Sequence, residues 1–103
     1  MTRSEELFHK IAAELPDAKE GKMFGAMCIK APNGKAAAMY WQDAMVFKLR
    51  GDAEREAMSL DSAHLFDPMG GRPMGGWIVV PYAYADRWAG FAASSMGYVK
   101  GLR

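Results

Sequence analysis

A glycine-rich bend, Gly70-Gly71-Arg72, is the part of this chain whose residue types come closest to a binding motif. Successive backbone N–H groups in such a bend can form a nest for an anion, and Arg72 would add a fixed positive charge. Tyr82 and Trp88 follow closely enough to complete a small-ligand site with these residues. The Walker pattern is absent, however, and the bend leads into a strand instead of a helix. The sequence therefore favours a turn whose glycines supply positive φ angles, with an anionic-ligand site as the alternative.

Cys28 is the only cysteine, so it cannot form a disulfide within the chain, and a reducing compartment is expected. Its alternation with Lys30 along an apolar run favours the less buried side of a strand and leaves a reactive thiol conceivable. The two histidines, His9 and His64, both lie far from it in the sequence. A semi-buried structural thiol is the interpretation that we favour.

The groupings that catalysis or metal binding requires do not occur in the sequence. One cysteine and two isolated histidines give none of the usual ligand spacings for a metal ion. Five glutamates fall in predicted helices as separate solvent-facing charges: Glu5, Glu6, Glu14, Glu54 and Glu56. No Gly-x-Ser-x-Gly elbow is present. We therefore expect no enzymatic activity, no metal and no cofactor.

Charge and composition are those of an ordinary globular domain. A length of 103 residues suits a single domain over residues 1–103. The chain carries 13 Lys plus Arg against 12 Asp plus Glu. The start of the chain lacks the apolar core of a signal peptide, and no apolar run is long enough to cross a bilayer, so we expect a cytoplasmic protein without membrane contact. The near-zero net charge disfavours nucleic-acid binding. That alternative stays open through the basic residues Lys30, Lys48, Arg50, Lys100 and Arg103.

Periodicity and turn signals predict elements in the order α-β-β-β-α-β-β-α. The predicted helices cover 2–15, 53–60 and 84–100. The predicted strands cover 23–31, 36–41, 44–50, 65–66 and 77–80, with a polar link at 17–21. Thr2 and Glu5 have the spacing of a capping box, Asp52 is the expected cap of the second helix, and Asn33-Gly34 and Gln42-Asp43 are turn signals. This order predicts an α+β fold of two layers, an antiparallel sheet with flanking helices.

Alternation along the strands places apolar residues on one side of the predicted sheet, with basic residues at the margin. The group consists of Phe24, Cys28, Met39, Trp41, Val46, Lys48 and Arg50. Left open, such a face is an interaction surface for a protein partner or for a second copy of the chain. The alternative is that the C-terminal helix crosses this face and buries it. We expect a non-catalytic protein-interaction or regulatory module that forms a homodimer.

Small residues recur on the last predicted helix, at Gly90, Ser94 and Gly97. Glycine in a helix costs about 1 kcal/mol relative to alanine, so close approach of another backbone is expected there. The sheet is the simpler candidate for that neighbour, and a second subunit is the alternative.

Several of these motifs together resemble the TfoX N-terminal domain family, from about residue 22 to residue 102. They are Met23-Phe24-Gly25, Asn33-Gly34, Gln42-Asp43, the run 45–49, and the segments 66–74 and 77–81. The last two look like a small stand-alone bacterial branch of the family. The resemblance implies the α-β(3)-α-β(2)-α arrangement that secretion chaperones also have, and a relation to a regulator of competence genes. The full regulator carries a second, C-terminal domain for which this chain is expected to have no room, and the family supplies no catalytic residues to carry over.

Overall fold

The computed structural model describes residues 2–23, 25–67, 70–71 and 74–102, and for Met23 it describes the backbone alone. Along these residues the chain forms three α-helices and six β-strands, with a 3₁₀ turn at Tyr82–Tyr84 before the last helix. The helices are α1 (Arg3–Glu14), α2 (Gly51–Met58) and α3 (Ala85–Lys100). The strands are β1 (Lys19–Met23), β2 (Ala26–Lys30), β3 (Ala36–Trp41), β4 (Ala44–Lys48), β5 (His64–Phe66) and β6 (Met74–Pro81).

These strands form one antiparallel sheet in the order β1-β2-β3-β4-β6-β5. The predicted α+β class, an antiparallel sheet with flanking helices, is confirmed. Strands β1 to β4 each pair with the next strand in the chain, whereas β6 inserts between β4 and β5. β5 is therefore an edge strand, at the end of the sheet opposite to β1.

The sheet contains one strand more than the sequence predicts. The polar segment 17–21, expected to be a link, supplies the first part of β1, which pairs with β2 from Lys19↔Lys30 to Met23↔Ala26. The predicted strand 23–31 is therefore divided, with Gly25 in the turn at a φ of 76°. β1 is an edge strand rich in charge, a composition that discourages pairing with another chain and also removes the alternation on which prediction depends.

Of the two helix N-caps predicted from the sequence, the one at α1 is confirmed and the one at α2 is wrong. At α1 the predicted capping box is present: Thr2 Oγ1 accepts a hydrogen bond from Glu5 N at 3.2 Å, and Glu5 Oε1 accepts one from Thr2 N at 3.4 Å. α2 begins at Gly51, and Arg50 occupies its N-cap position without a capping hydrogen bond from its side chain, so the predicted cap by Asp52 is wrong. Gly51 has a φ of 65°, which lets the chain turn into the helix earlier than expected. Asp52 then lies in the first turn of α2, where its negative charge interacts favourably with the helix dipole.

All three helices pack on the same face of the sheet, which we call the helix face. Met45, Phe47 and Leu49, the side of β4 that alternation predicts to point inward, are buried there. Trp88 and Phe91 of α3 belong to the same core. The helices therefore form a single layer, and α3 crosses β3 and β4.

The Asn33-Gly34 hairpin is present, and it also serves the last helix. Gly34 has the positive φ that the turn requires, 83°. Asn33 Nδ2 donates hydrogen bonds to Val99 O at 2.9 Å and to Leu102 O at 3.1 Å. Carbonyl groups at the end of a helix have no partner within the helix, so this side chain ties the end of α3 to the β2–β3 loop.

The Gln42-Asp43 turn is also present, with an unusual backbone. Both residues have positive φ, 49° and 64°, and this type I′ geometry is normally taken by Asn or Gly. Asp43 Oδ1 accepts hydrogen bonds from Tyr40 OH at 2.9 Å and from Ser4 Oγ at 3.0 Å. Since Ser4 belongs to α1, these bonds hold the turn against the start of that helix and offset its backbone strain.

Ser95 is the polar residue of α3 that faces the core. Its side chain is 0% exposed, and its Oγ has no hydrogen-bond partner among the described residues. A buried hydroxyl without a partner costs roughly 1–3 kcal/mol, because its hydrogen bonds to water are lost on folding. The helix face therefore carries a local energetic defect at this position.

We predict that Ser95→Ala raises the free energy of unfolding by about 1–2 kcal/mol, because it removes this unsatisfied hydroxyl. The matched control is Ser94→Ala on the exposed side of the same helix turn, which makes the same gain in helix propensity, about 0.5 kcal/mol, without removing a buried hydroxyl. Urea unfolding of both variants measures the difference. Equal changes in the two variants would show that Ser95 Oγ is not a defect.

Candidate functional site

The strand register tests the interaction surface predicted from alternation. Cys28 pairs with Met39, Met39 with Val46, and Val46 with Val79, so these side chains form one row across four strands. The row lies on the side of the sheet opposite to the helices, which we call the far face. Trp41 packs against the same cluster. Cys28, Met39, Trp41 and Val46 therefore do share one face.

This row is a second core and not an exposed surface. Cys28, Met39 and Val46 are each 0% exposed, so the prediction that they offer an interaction surface is wrong. Phe24 lies outside the described residues. The alternative that the C-terminal helix buries them is wrong as well, because α3 packs on the helix face. The side chains that surround the row within the described chain come from the sheet itself: Ala44, Phe66, Trp77 and Val79, with Ala36, Trp41 and Met74 packed against them.

The contact between Trp41 and Phe66 shows how the far face closes. Their ring centroids are 5.3 Å apart with an interplanar angle of 76°, an edge-to-face arrangement. Two strands, β4 and β6, lie between the strands that carry these rings. In a flat sheet three steps of strand spacing would separate the two backbones by about 14 Å. Both rings therefore lean toward each other across the far face, over small neighbours such as Ala44.

Lys48 and Arg50, the predicted basic margin, contact other parts of the chain. Lys48 Nζ lies 5.4 Å from the centre of the Trp77 ring and 3.4 Å from Gly75 O. The Arg50 guanidinium lies against the backbone of Gly76, where a Cβ would be 2.8 Å from it, and pairs with Glu54 at 3.4 Å. Gly76 also has a φ of 80°. These cations therefore brace the junction of β4 and β6 rather than border an open surface.

The basic residues behind the nucleic-acid alternative do not form one cluster. Lys100 Nζ pairs with Asp17 Oδ2 at 3.0 Å on the helix side of the molecule. Lys48 lies over Trp77 on the far face, and the Lys30 side chain lies beside Gly21 at the β1 edge. Arg103 lies outside the described residues. A phosphate backbone needs several cations on one continuous surface, and the described members of this group lie on both sides of the sheet, so nucleic-acid binding stays a prediction that this arrangement does not favour.

Cys28 lies in the middle of the far face and is completely buried. Burial raises the pKa of the Cys28 thiol above its ordinary value, while the charge of Lys30 and a backbone hydrogen bond with Gly21 oppose this shift. A raised pKa and the lack of access both lower the reactivity of a thiol, because the thiolate is the nucleophile. The structural role favoured from the sequence is the one that this environment supports.

We predict that the Cys28 thiol reacts with Ellman's reagent far more slowly in the folded protein than in guanidinium chloride. Above about pH 8.5 the unfolded chain loses the thiol proton while the folded chain keeps it, so this group lowers folding stability as pH rises. Cys28→Ala should remove that contribution. Thermal or urea unfolding between pH 7 and pH 10 would then show the stability of the wild type falling relative to the variant. A constant difference, or rapid labelling of the native protein, would contradict the buried thiol.

The predicted anionic-ligand site is not assembled. Gly70 and Gly71 do have positive φ, 73° and 96°, but Gly71 N donates to the carboxylate of Asp67 at 2.8 Å, so this amide already holds an anion of the chain itself. Trp88 is 0% exposed in the core of the helix face, where its Nε1 donates to Val80 O at 3.1 Å. Its proposed role in a surface site is therefore wrong.

The other two predicted members of that site are Tyr82 and Arg72. Tyr82 is 40% exposed, and its ring packs edge-to-face on Trp88 with the centroids 5.6 Å apart. Arg72 lies outside the described residues. Tyr82 therefore covers the Trp88 ring at the start of α3. The ring contact described for Tyr82 is with Trp88 and not with the glycine bend.

A pocket opens at one end of the far face, and we call it the Trp41 pocket. Its volume is about 440 Å³, and it lies between the β3–β4 turn and the short strand β5. Its lining combines apolar and polar side chains: Trp41, Gln42, Ala44, Ser62, His64, Phe66, Asp67, Val79 and Pro81. Of these the sequence singles out Trp41 as a surface residue, while the others carry no common motif because they come from separate segments.

The second accessible feature is the outer face of α3. Five small residues in successive turns are exposed there: Ala89, Gly90, Ala93, Ser94 and Gly97. A Cβ added at Gly90 or at Gly97 would meet no atom within 4 Å. The expectation that the sheet approaches these glycines is therefore wrong, because they point away from it.

Two kinds of site are missing from the described part of the chain. No group of three or more His, Cys, Asp or Glu side chains in residues 2–23, 25–67, 70–71 and 74–102 could hold a metal ion. Over the same residues, no helix has the combined length and apolar character that a membrane span requires.

Comparison with known proteins adds no relative to this description. No protein-family model matches the chain, and no curated protein sequence matches it. The protein is a small α+β domain whose sheet has a buried cluster of side chains on each face. The resemblance to TfoX N-terminal domains remains a prediction.

Proposed function

We propose that this chain is a non-catalytic protein-interaction module, TfoX-like in its fold, that acts as a cytoplasmic homodimer. The outer face of α3 is the surface through which two copies associate. The observation that carries the proposal is that Gly90 and Gly97 lie on the exposed side of this helix with open space beside them. The cytoplasmic location rests on the single free thiol, which suits a reducing compartment.

Gly90 and Gly97 lower the folding stability of the monomer. Each costs about 1 kcal/mol in a helix relative to alanine, and the fold makes no contact that uses the missing side chains. A helix face made of Ala, Gly and Ser lets a second helix approach to about 8 Å, at the close end of helix packing distances. A partner helix would therefore gain from the residues that weaken the isolated chain.

The charges at the two ends of this face are complementary to those of a second copy. Asp86 and Lys100, both exposed, are fourteen residues apart, which is about 21 Å along a helix. Ala93 lies midway between them. A two-fold axis at Ala93 with α3 antiparallel to its copy places each Asp86 opposite the other chain's Lys100. Lys100 already contacts Asp17 at the surface, so the new pairs would fix orientation more than they add affinity.

The proposed contact is modest in size. The large hydrophobic side chains exposed in the described residues are Met58 and Tyr82, and neither belongs to this face of α3. Affinity would come from close backbone contact over five small residues rather than from a broad apolar patch. We therefore expect a dimer whose population depends on protein concentration.

We predict that Ala93→Glu makes the protein monomeric, because the two new carboxylates meet at the symmetry axis and repel each other. The matched control is Ala13→Glu, the same change at an exposed alanine of α1. Sedimentation velocity over a hundredfold concentration range should give a dimer for the wild type and for the control. Circular dichroism checks that both variants fold.

Charge exchange sharpens this test. Asp86→Lys and Lys100→Glu should each weaken the dimer, and the double variant should restore it, since the pairing is only reversed. A wild type that stays monomeric at every concentration would remove the homodimer. A dimer unaffected by Ala93→Glu would place the interface elsewhere.

A further inference from the structure

The Trp41 pocket has the dimensions and the lining of a small-molecule site. Its volume of about 440 Å³ falls in the range of ligand pockets, toward the small end. The half-buried ring of Trp41, held in edge-to-face contact by the buried Phe66, provides an aromatic wall, and Val79 and Pro81 add apolar surface. Aromatic walls favour a flat guest, because a planar ring gains the most contact and the best stacking geometry there.

His64 supplies a directional polar group at this pocket. Its Nδ1 lies 3.0 Å from Ser62 O. A carbonyl oxygen only accepts hydrogen bonds, so Nδ1 carries the proton, and Nε2 of the neutral ring is an acceptor. Within the described chain no hydrogen bond occupies Nε2, and the side chain is exposed. A ligand that donates a hydrogen bond would satisfy this atom.

The backbone around the pocket is held in strained conformations. Gln42 and Ser62, which both line it, have φ values of 49° and 69°, which cost about 1–2 kcal/mol each for residues other than glycine. Such strain persists only where the surrounding contacts impose it, and it concentrates at functional sites. At Gln42 those contacts are the hydrogen bonds from Tyr40 and Ser4 to the adjoining Asp43. The wall that carries Trp41 and Gln42 is therefore fixed before any ligand arrives.

From these observations we infer that the Trp41 pocket binds a small planar aromatic molecule with an N–H or O–H donor at its edge. The ring packs against the accessible part of the Trp41 ring, and the donor bonds to Nε2 of His64. This goes beyond the proposed dimer, because the pocket is on the far face and α3 is on the other side of the sheet. Either proposal can therefore fail without the other.

Indole is the probe that tests this, with 1-methylindole as the chemical control that lacks the donor. Both are titrated into ¹⁵N-labelled full-length protein, and amide shifts are followed in two-dimensional NMR spectra. We expect saturable shifts centred on Gln42, Ala44 and Val79. Indole should bind about fivefold more tightly than 1-methylindole, the effect of one hydrogen bond in a half-open site.

Two histidine variants separate the role of the donor from that of the ring. In His64→Ala the two probes should bind equally, while in His9→Ala, the other histidine, the fivefold preference should remain. Both histidines are on the surface, and the spectra themselves confirm folding. Shifts that do not saturate, shifts centred outside the pocket, equal binding of the two probes to the wild type, or a preference that survives His64→Ala would each overturn the proposal.

Discussion

A sheet with helices on only one side has to close its other side by some other means, and this constraint organises the molecule. Here the far face carries a row of fully buried side chains, with Met39 and Val46 at its centre, although no helix of the described chain covers them. Trp41 and Phe66 meet in edge-to-face contact across two strands, and both rings pack with the smaller side chains of this face. Burial of this second apolar layer adds to the core under the helices, which a short chain needs.

The consequences of that closure reach every group on the far face. Cys28 becomes an inert structural thiol, and Lys48 lies over Trp77 instead of bordering an open patch. Where the closure ends, beyond Trp41 and Phe66, the Trp41 pocket remains. The accessible surfaces are thus displaced from the middle of the sheet to two places on opposite sides of it, the pocket and the outer face of α3.

Local signals predicted much of the fold. The strand 36–41 matches β3 at both ends, because alternation and two turn signals bound it, and the capping box sets the start of α1. β1 could not be found this way, since Lys19, Glu20 and Lys22 give an edge strand no hydrophobic pattern. The outward direction of Gly90 was within reach of the sequence: Trp88 and Phe91 define the buried stripe of α3, and Gly90 falls outside it.

The sites were less predictable for a physical reason. Alternation correctly placed Cys28, Met39 and Val46 on one face, but whether a face is open depends on curvature and on what folds over it, which period-two patterns do not encode. The lining of the Trp41 pocket comes from three separate segments, the β3–β4 turn, β5 with the residues on either side of it, and β6, which only the folded sheet brings together. A site whose lining residues come from separate segments has no local sequence motif from which it could be predicted.

The most direct test of the closed far face is a double-mutant cycle between Trp41 and Phe66. Trp41→Leu, Phe66→Leu and the double variant keep apolar bulk while removing the ring contact, and urea unfolding gives the coupling free energy. Rings in edge-to-face contact should couple by about 0.5–1.5 kcal/mol. Additive effects, with no coupling, would mean that the two rings do not meet across the sheet and that the far face is open after all.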